Sequence, residues 1–300
     1  MDSTSRLPIA TEERRVLSWS ENHLERLTQV CVDDLISAFG LGGARNGRVL
    51  MEALSRIPAR RLARQILTYD EIVGDSGLGA GGAWALKKLS RHGRIEGQEN
   101  VPRCGPLLLV SNHPGLADAV ALFAATPRDD LSVIAADRPF LDALPNTSRH
   151  LMTVAETPGG RSRVARAAVR HLRGGGSVLT FPGGRIEPDP AVLPGAVEAL
   201  NRWSASADHF ARLTPGLVIV PVVVSGVISP SALRNPLTHL RRSRRDREWL
   251  AATLQVLIPA LRNVDVRVEF GRPIHAEPGA AVGERVIEES RSLMEIRETV

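Results

Sequence analysis

Over roughly the first 90 residues, apolar positions recur at helical spacing. The stretch "HLERLTQVCVDDLISAF" sets Leu24, Leu27, Cys31 and Leu35 along one stripe, which predicts an amphipathic helix. A second amphipathic segment runs from about Gly47 to Leu67. Pro58 lies inside it and marks an expected kink or break, because proline removes a backbone donor and crowds the preceding turn.

From about Arg94 the texture changes to short β-like runs separated by helical ones. The runs are "LLLV" at 107, "LSVIAA" at 131, "SVLTF" at 177, "LVIVPVVV" at 217 and "VDVRVEF" at 264. Helices are expected near 117–125, 161–173, 191–203 and 246–262. This alternation predicts an α/β fold, a mixed sheet flanked by helices and preceded by an N-terminal helical segment. In the last run Val264, Val266, Val268 and Phe270 alternate with Asp265, Arg267 and Glu269, as expected of an edge or late strand with one wet face. The organisation then reads as a helical region over 1–89, an α/β domain over 94–275 and a helical tail over 276–300.

Between the two zones lies "VGDSGLGAGGAW". Gly77, Gly79 and Gly82 have G-x-G-x-x-G spacing, but they follow a helical segment rather than a strand, so a dinucleotide loop is not expected. Gly74-Asp75-Ser76-Gly77 has the form of a serine-protease nucleophile segment, yet its His and Asp partners would have to come from a short helical N-terminus. The expectation is a flexible turn between helices.

Composition narrows the class without choosing the chemistry. A chain of 300 residues, 43% hydrophobic and 24% charged, is that of a soluble globular protein. Cys31 and Cys104 lie far apart without metal-ligand spacing, so neither a disulfide framework nor a zinc site is expected, and a reduced intracellular setting is. The first dozen residues show no signal-peptide pattern. The longest apolar run, Leu217–Ile228, contains Pro221 and Gly226 and is too short to span a bilayer. A formal charge of +5 favours anionic partners such as nucleic acid, phosphorylated metabolites or an anionic lipid surface. With aromatic content of 4% and no recognised binding pattern, nucleic acid is not the expected partner.

The stretch "LLLVSNHPGLADAVALFAA" is where chemistry enters. Residues five apart within a helix point roughly 140° from each other and do not meet. At a strand-to-helix corner turned by Pro114-Gly115, however, Asp118 falls in the first helical turn and faces back toward His113. Its carboxylate then accepts the Nδ1 proton and leaves Nε2 pointing outward as a base. An exposed loop histidine beside an ordinary helix-start acid is the commonplace alternative.

The surrounding residues favour the base. "IEGQENVPRCGPLLLVSNHPGLAD" resembles the opening block of the glycerolipid acyltransferase family, which includes 1-acylglycerol-3-phosphate acyltransferases. That family carries Asn-His-x4-Asp, here Asn112, His113 and Asp118, after a lead-in matched by Gly97, Glu99, Asn100 and Pro102. "GGGSVLTFPGGR", "IVPVVVSG" and "VRVEFGRPI" resemble its later blocks in order, over about residues 94 to 275. Two departures stand out. The family's Phe-Pro-Glu-Gly-Thr-Arg reads Phe181-Pro182-Gly183-Gly184-Arg185-Ile186 here, so a glycine replaces the glutamate and the arginine comes one place early. The family's arginine block is also blurred in "ETPGGRSRVAR".

The resemblance implies acyl transfer from acyl-CoA or acyl-carrier protein as substrate, with no cofactor and no metal. His113 is the implied general base, with Asp118 stabilising its imidazolium. A phosphorylated or lipid acceptor needs cations. Arg185, after a strand and a Pro-Gly-Gly turn with Gly184, is the first candidate; Arg161 and Arg163, with Asn112, complete the expected substrate-binding set. For Arg161 and Arg163 a solvated helix face is an equally good account, since Val164, Ala168 and Leu172 form that helix's apolar stripe. "RRSRRDREWL" near 241–250 suits an anionic membrane surface, the phosphates of CoA or a charged helix start. The expected setting is cytoplasmic, peripheral to the inner face of the cell membrane. The competing readings are an acyltransferase of the same family acting on a non-glycerol lipid acceptor and a catalytically inactive membrane-associated scaffold.

Overall fold

In a computed structural model the chain is described over residues 19–41, 45–115, 117–276 and 281–295. The first dozen residues and parts of the tail, 277–280 and 296–300, lie outside the described residues. Helix α1 (Glu21–Ala38) starts at Ser20, whose hydroxyl accepts the His23 N–H, and buries Leu24, Leu27, Cys31 and Leu35 as the periodicity predicts. It packs along α2 (Arg45–Leu89), whose Ala59, Ala63 and Leu67 complete a shared core. Burial pushes the Cys31 thiol up to about 12, assisted by the charge of Asp34.

Two expectations for α2 fail. The helix passes Pro58 with helical dihedrals and breaks instead at Gly77, where φ is +85°. The glycine-rich segment is not a flexible turn: apart from that break it is helical, and its small residues let α2 approach α3 (Asp118–Ala125) closely. A Cβ at Gly82 would lie 2.6 Å from the Val120 carbonyl oxygen and 2.8 Å from the Ala124 nitrogen.

Eight strands form one sheet among the described residues: β1 (His92–Glu96), β2 (Leu107–Ser111), β3 (Leu131–Ala136), β4 (Leu151–Val154), β5 (Ser177–Thr180), β6 (Val218–Ser225), β7 (Asp265–Phe270) and β8 (Ile274–His275). Their order is β1-β7-β6-β2-β5-β3-β4, with β8 also paired to β6. Strands β6, β2, β5, β3 and β4 run parallel, while β7 and β8 are antiparallel to β6. The five expected strands are present. Strands β1, β4 and β8 are additions, too short or too mixed in composition to register as apolar runs.

Strand β7 alternates in burial as expected, yet it is not an edge, because β1 pairs with it in parallel. Pro221 sits inside β6 without breaking the ladder. Its carbonyl accepts the Gly271 N–H, so its polar edge faces the junction where β7 gives way to β8 and a missing donor costs little.

Helices cover both faces. One face packs Leu107, Leu109, Leu179 and Val222 against α2 and α3. The other packs Leu108, Val110, Val178 and Ile219 against the helices Gly160–Arg173, Ser206–Leu213 and Gly283–Glu295. The alternate side chains of β2 therefore serve two cores, which is why its burial is complete. The expected helix over 191–203 shrinks to Ala196–Leu200, flanked by Pro194 and Gly195 on one side and a turn on the other.

Candidate active site

Four parallel neighbours, β6, β2, β5 and β3, end on the same side of the sheet, so the segments that follow them share one rim. His113 follows β2 at the centre of this rim. Gly115 turns the chain with φ +139°, and Asp118 opens α3. His113 Nδ1 lies 2.7 Å from Asp118 Oδ2. The same carboxylate accepts the Gly115 N–H at 2.9 Å and, through its other oxygen, the Ala119 N–H at 2.5 Å. Asp118 is fully buried, whereas the imidazole remains 30% exposed, with Phe181 packed on it at 4.6 Å between ring centroids. His113 Nε2 has no hydrogen-bond partner among the described residues.

Electrostatics at the ring oppose one another. Burial is the largest influence and disfavours the imidazolium, but the charge of Asp118, its hydrogen bond and the charge of Glu187 together outweigh it. The net effect raises the His113 pKa above the ordinary histidine value. A ring held by a buried carboxylate on Nδ1, with Nε2 open, is arranged to accept a proton from a bound hydroxyl and to tolerate the charge that results.

The other expected residues fare unequally. Asn112 is buried and its amide is consumed, donating to the Val224 carbonyl at 2.9 Å and accepting the Val224 N–H at 2.8 Å. It continues the β2–β6 pairing past the end of β2 and ties the histidine corner to β6. Gly184 adopts φ +62° in the turn after β5, and its N–H closes that turn on the Phe181 carbonyl at 3.0 Å. That donor is therefore unavailable to an anion. Arg185 follows directly, exposed, with no acidic partner among the described residues. Arg185 lies two residues before Glu187, whose carboxylate and N–H bond the His113 main chain.

Arg161 and Arg163 are exposed at the start of the helix after β4, likewise without acidic partners among the described residues. Strand β4 lies three places from β2, roughly 14 Å at ~4.8 Å per strand. They share the rim but not the corner. In the 241–250 cluster, Ser243 caps the helix Arg244–Leu257, while Arg241 pairs with Asp246 and Arg244 with Glu248. Arg247 bonds the Arg241 carbonyl, which leaves Arg242 and Arg245 as exposed cations without a partner among the described residues.

Two carboxylates escaped the sequence reasoning. Glu187 is buried and accepts the His113 backbone N–H at 3.0 Å and the Trp203 Nε1–H at 2.8 Å, while its own N–H donates to the His113 carbonyl at 2.8 Å. Asp189, fully buried, accepts N–H groups from Ala191, Gly226, Val227 and Ile228, tying the loop after β5 to the loop after β6. The available signal was two acids within the five residues that follow the Pro-Gly-Gly turn, in a block otherwise poor in charge.

A cavity of about 170 Å³ is lined by Val110, Pro182, Trp203 and Val286 among others. A smaller one of about 20 Å³ touches Pro114 and Gly115. His113 lines neither. No group of His, Cys, Asp and Glu side chains suited to a metal ion occurs among the described residues.

The family model described as Acyltransferase matches residues 92–225. No curated protein matches the chain. Among solved structures, the crystal structure of the 1-acyl-sn-glycerophosphate (LPA) acyltransferase from Thermotoga maritima is similar at 16% identity and a TM-score of 0.44, over 93% of this chain and 96% of that one. The matched segment begins with β1, passes through the His113–Asp118 corner and the turn at Pro182, and ends with β6, so it is over residues 92–225 that this chain is similar to the Acyltransferase family.

Proposed function

We propose that this protein transfers a fatty acyl group from an acyl-CoA or acyl-carrier-protein thioester to a hydroxyl of a glycerol phosphate or lysophospholipid acceptor. The reaction is that of a 1-acyl-sn-glycerol-3-phosphate acyltransferase in phospholipid biosynthesis. The observation that carries this reading is the 2.7 Å contact of His113 Nδ1 with buried Asp118, leaving Nε2 open within the segment that matches the family.

His113 Nε2 takes the proton of the acceptor hydroxyl as its oxygen attacks the thioester carbonyl carbon. The tetrahedral intermediate collapses by breaking the carbon–sulfur bond, and the departing thiolate takes the proton back from the imidazolium. No enzyme nucleophile is needed, because thiolate is already a good leaving group. A general base so placed contributes roughly 10²–10⁴-fold in rate, about 3–5 kcal/mol. Arg185 supplies a bidentate cation for the acceptor phosphate beside the base.

Incubation with acyl-CoA and a panel of lysolipids, glycerol 3-phosphate and non-glycerol acceptors, with products read by mass spectrometry, tests the proposal. Thiol release without any acylated glycerol product would reassign the acceptor. Absence of thiol release with acyl-CoA and with acyl-carrier protein would favour the inactive scaffold.

A lysophospholipid acceptor resides in membranes, and the reading extends to peripheral attachment at the cytoplasmic face. No described helix is long and apolar enough to cross a bilayer. Exposed apolar side chains support a surface contact: Leu54 and Ile57 on α2, and Leu240 and Trp249 flanking the free cations Arg242 and Arg245. Shallow insertion joined to arginines worth about 1 kcal/mol each near anionic lipid predicts salt-sensitive binding. Co-sedimentation with anionic vesicles that is unchanged from low to high salt would leave apolar insertion as the sole anchor.

A further inference from the structure

The turn after β5 lacks an acid at Gly183, and the space an acid there would enter is already filled. A Cβ built on Gly183 would meet Glu187 Oε1 at 2.5 Å and its Cδ at 2.8 Å. The carboxylate beside Gly183 thus arrives from four residues downstream. It is buried and kept in place by two donors, the His113 backbone N–H on one oxygen and the Trp203 indole on the other.

We propose that Glu187 is a positioning residue for the histidine corner, holding the His113 main chain and placing a second anion beside its imidazole, and that glycine at 183 makes the room this requires. The inference rests on the acyl-transfer reading for its kinetic consequence but not for its structural one.

The contacts are reciprocal. Glu187 N–H donates to the His113 carbonyl while the His113 N–H donates to the Glu187 carboxylate, so both backbone polar groups of the base are bound to one residue 74 positions away. Asp118 holds the ring from α3, and Glu187 holds the backbone from the loop after β5. Together they fix the imidazole from two elements that meet only in the folded protein.

Two donors on two different oxygens call for a carboxylate, since a neutral amide has only one acceptor oxygen, and burying that carboxylate is costly. Burial is indeed the largest influence on Glu187 and raises its pKa, against the Trp203 bond, the His113 backbone bond, the His113 charge and Arg202. The charge returns something at the ring. The ionisable groups that act on His113 are Asp118 and Glu187, both acidic, and both favour the imidazolium that forms as the acceptor loses its proton.

Glu187→Gln keeps the side-chain length but removes the charge and one of the two acceptor oxygens, so the ring titration is the readout specific to the charge. The His113 ring titration, followed by NMR with its resonance assigned by H113A, reads the effect without any substrate. We expect E187Q to fold, its His113 midpoint to move down outside the fitting error, and kcat to fall roughly tenfold or more with little change in either KM. The variant Gly183→Ala keeps the charge but crowds it, and kcat should fall there too. A folded E187Q with an unmoved midpoint overturns the electrostatic role, and unaltered turnover in G183A overturns the assignment of that glycine. An E187Q that is unfolded at the assay temperature shows a carboxylate serving the fold instead. If the unmodified protein releases no thiol from any donor, the acyl-transfer reading fails while the NMR midpoint still decides the role of Glu187.

Discussion

Asp118 lies fully buried at the head of α3 with one oxygen 2.7 Å from His113 Nδ1, while the far side of the same ring is open. Three donors converge on this carboxylate: the ring and the N–H groups of Gly115 and Ala119. The arrangement both fixes the tautomer and stabilises the charged ring. His113→Ala should therefore lower kcat by 10²–10⁴-fold, on the order of a general base's contribution. Because the alanine leaves Asp118 two backbone donors, the fold should lose only about 1–3 kcal/mol. Steady-state turnover beside thermal melting separates the two effects, and retention of more than about a tenth of the turnover rules out the base.

Asp118→Asn presents the ring with an amide, whose oxygen accepts a hydrogen bond from Nδ1–H but carries no charge to stabilise imidazolium. We expect a loss of at least about 10²-fold in kcat with little change in either KM. Activity equal to that of the unaltered protein would remove the dyad.

The pH dependence follows from the raised His113 pKa. A base must be neutral to act, so the acid limb of kcat/KM should fall above the ordinary value of 6.5. Stability has the opposite sense. The contribution from the charged ring is fully present below the unfolded-state pKa and is lost as pH rises through the higher folded-state value. A pH–rate profile measured with chemical denaturation at the same pH values checks both signs, and D118N should move the kinetic limb downward.

Arg185 is exposed, two residues before the Glu187 that bonds the His113 main chain, with no acidic partner among the described residues. A guanidinium fork holds phosphate through two parallel bonds that a lysine cannot reproduce. Arg185→Lys should raise the KM for a phosphorylated acceptor several-fold and leave the donor KM little changed, with R185A stronger in the same direction. Weakening of the donor term alone would place Arg185 at the thioester carrier. No effect on either term would favour an acceptor without phosphate.

Gly82 carries α2 past α3 at close range, and a methyl group there meets backbone rather than movable side chain. Helix propensity by itself would favour Gly82→Ala by about 1 kcal/mol. Overpacking costs about 1–3 kcal/mol, so the variant should melt lower. Since α3 bears Asp118, its displacement should also reduce kcat. A higher melting temperature for G82A would contradict the close approach.

The features legible in the sequence are those carried by neighbours along the chain. The stripe of Leu24, Leu27, Cys31 and Leu35 announces α1, five apolar runs announce five strands, and His113 and Asp118 meet because a corner and one helical turn separate them. Such contacts depend on local backbone geometry, which a short window of sequence specifies. Only the tertiary structure decided the rest. Whether β7 is an edge depends on β1, about 170 residues earlier, pairing outside it. Asn112 looks like a ligand in its motif, but its partner is the backbone of Val224, 112 residues away. The glycines of α2 suggest a turn until α3 packs on them, because a missing side chain serves flexibility and close approach alike. Glu187 reaches His113 across 74 residues because β5 lies next to β2, and strand order is set by how crossovers and faces pack together, not by the pattern within any one strand.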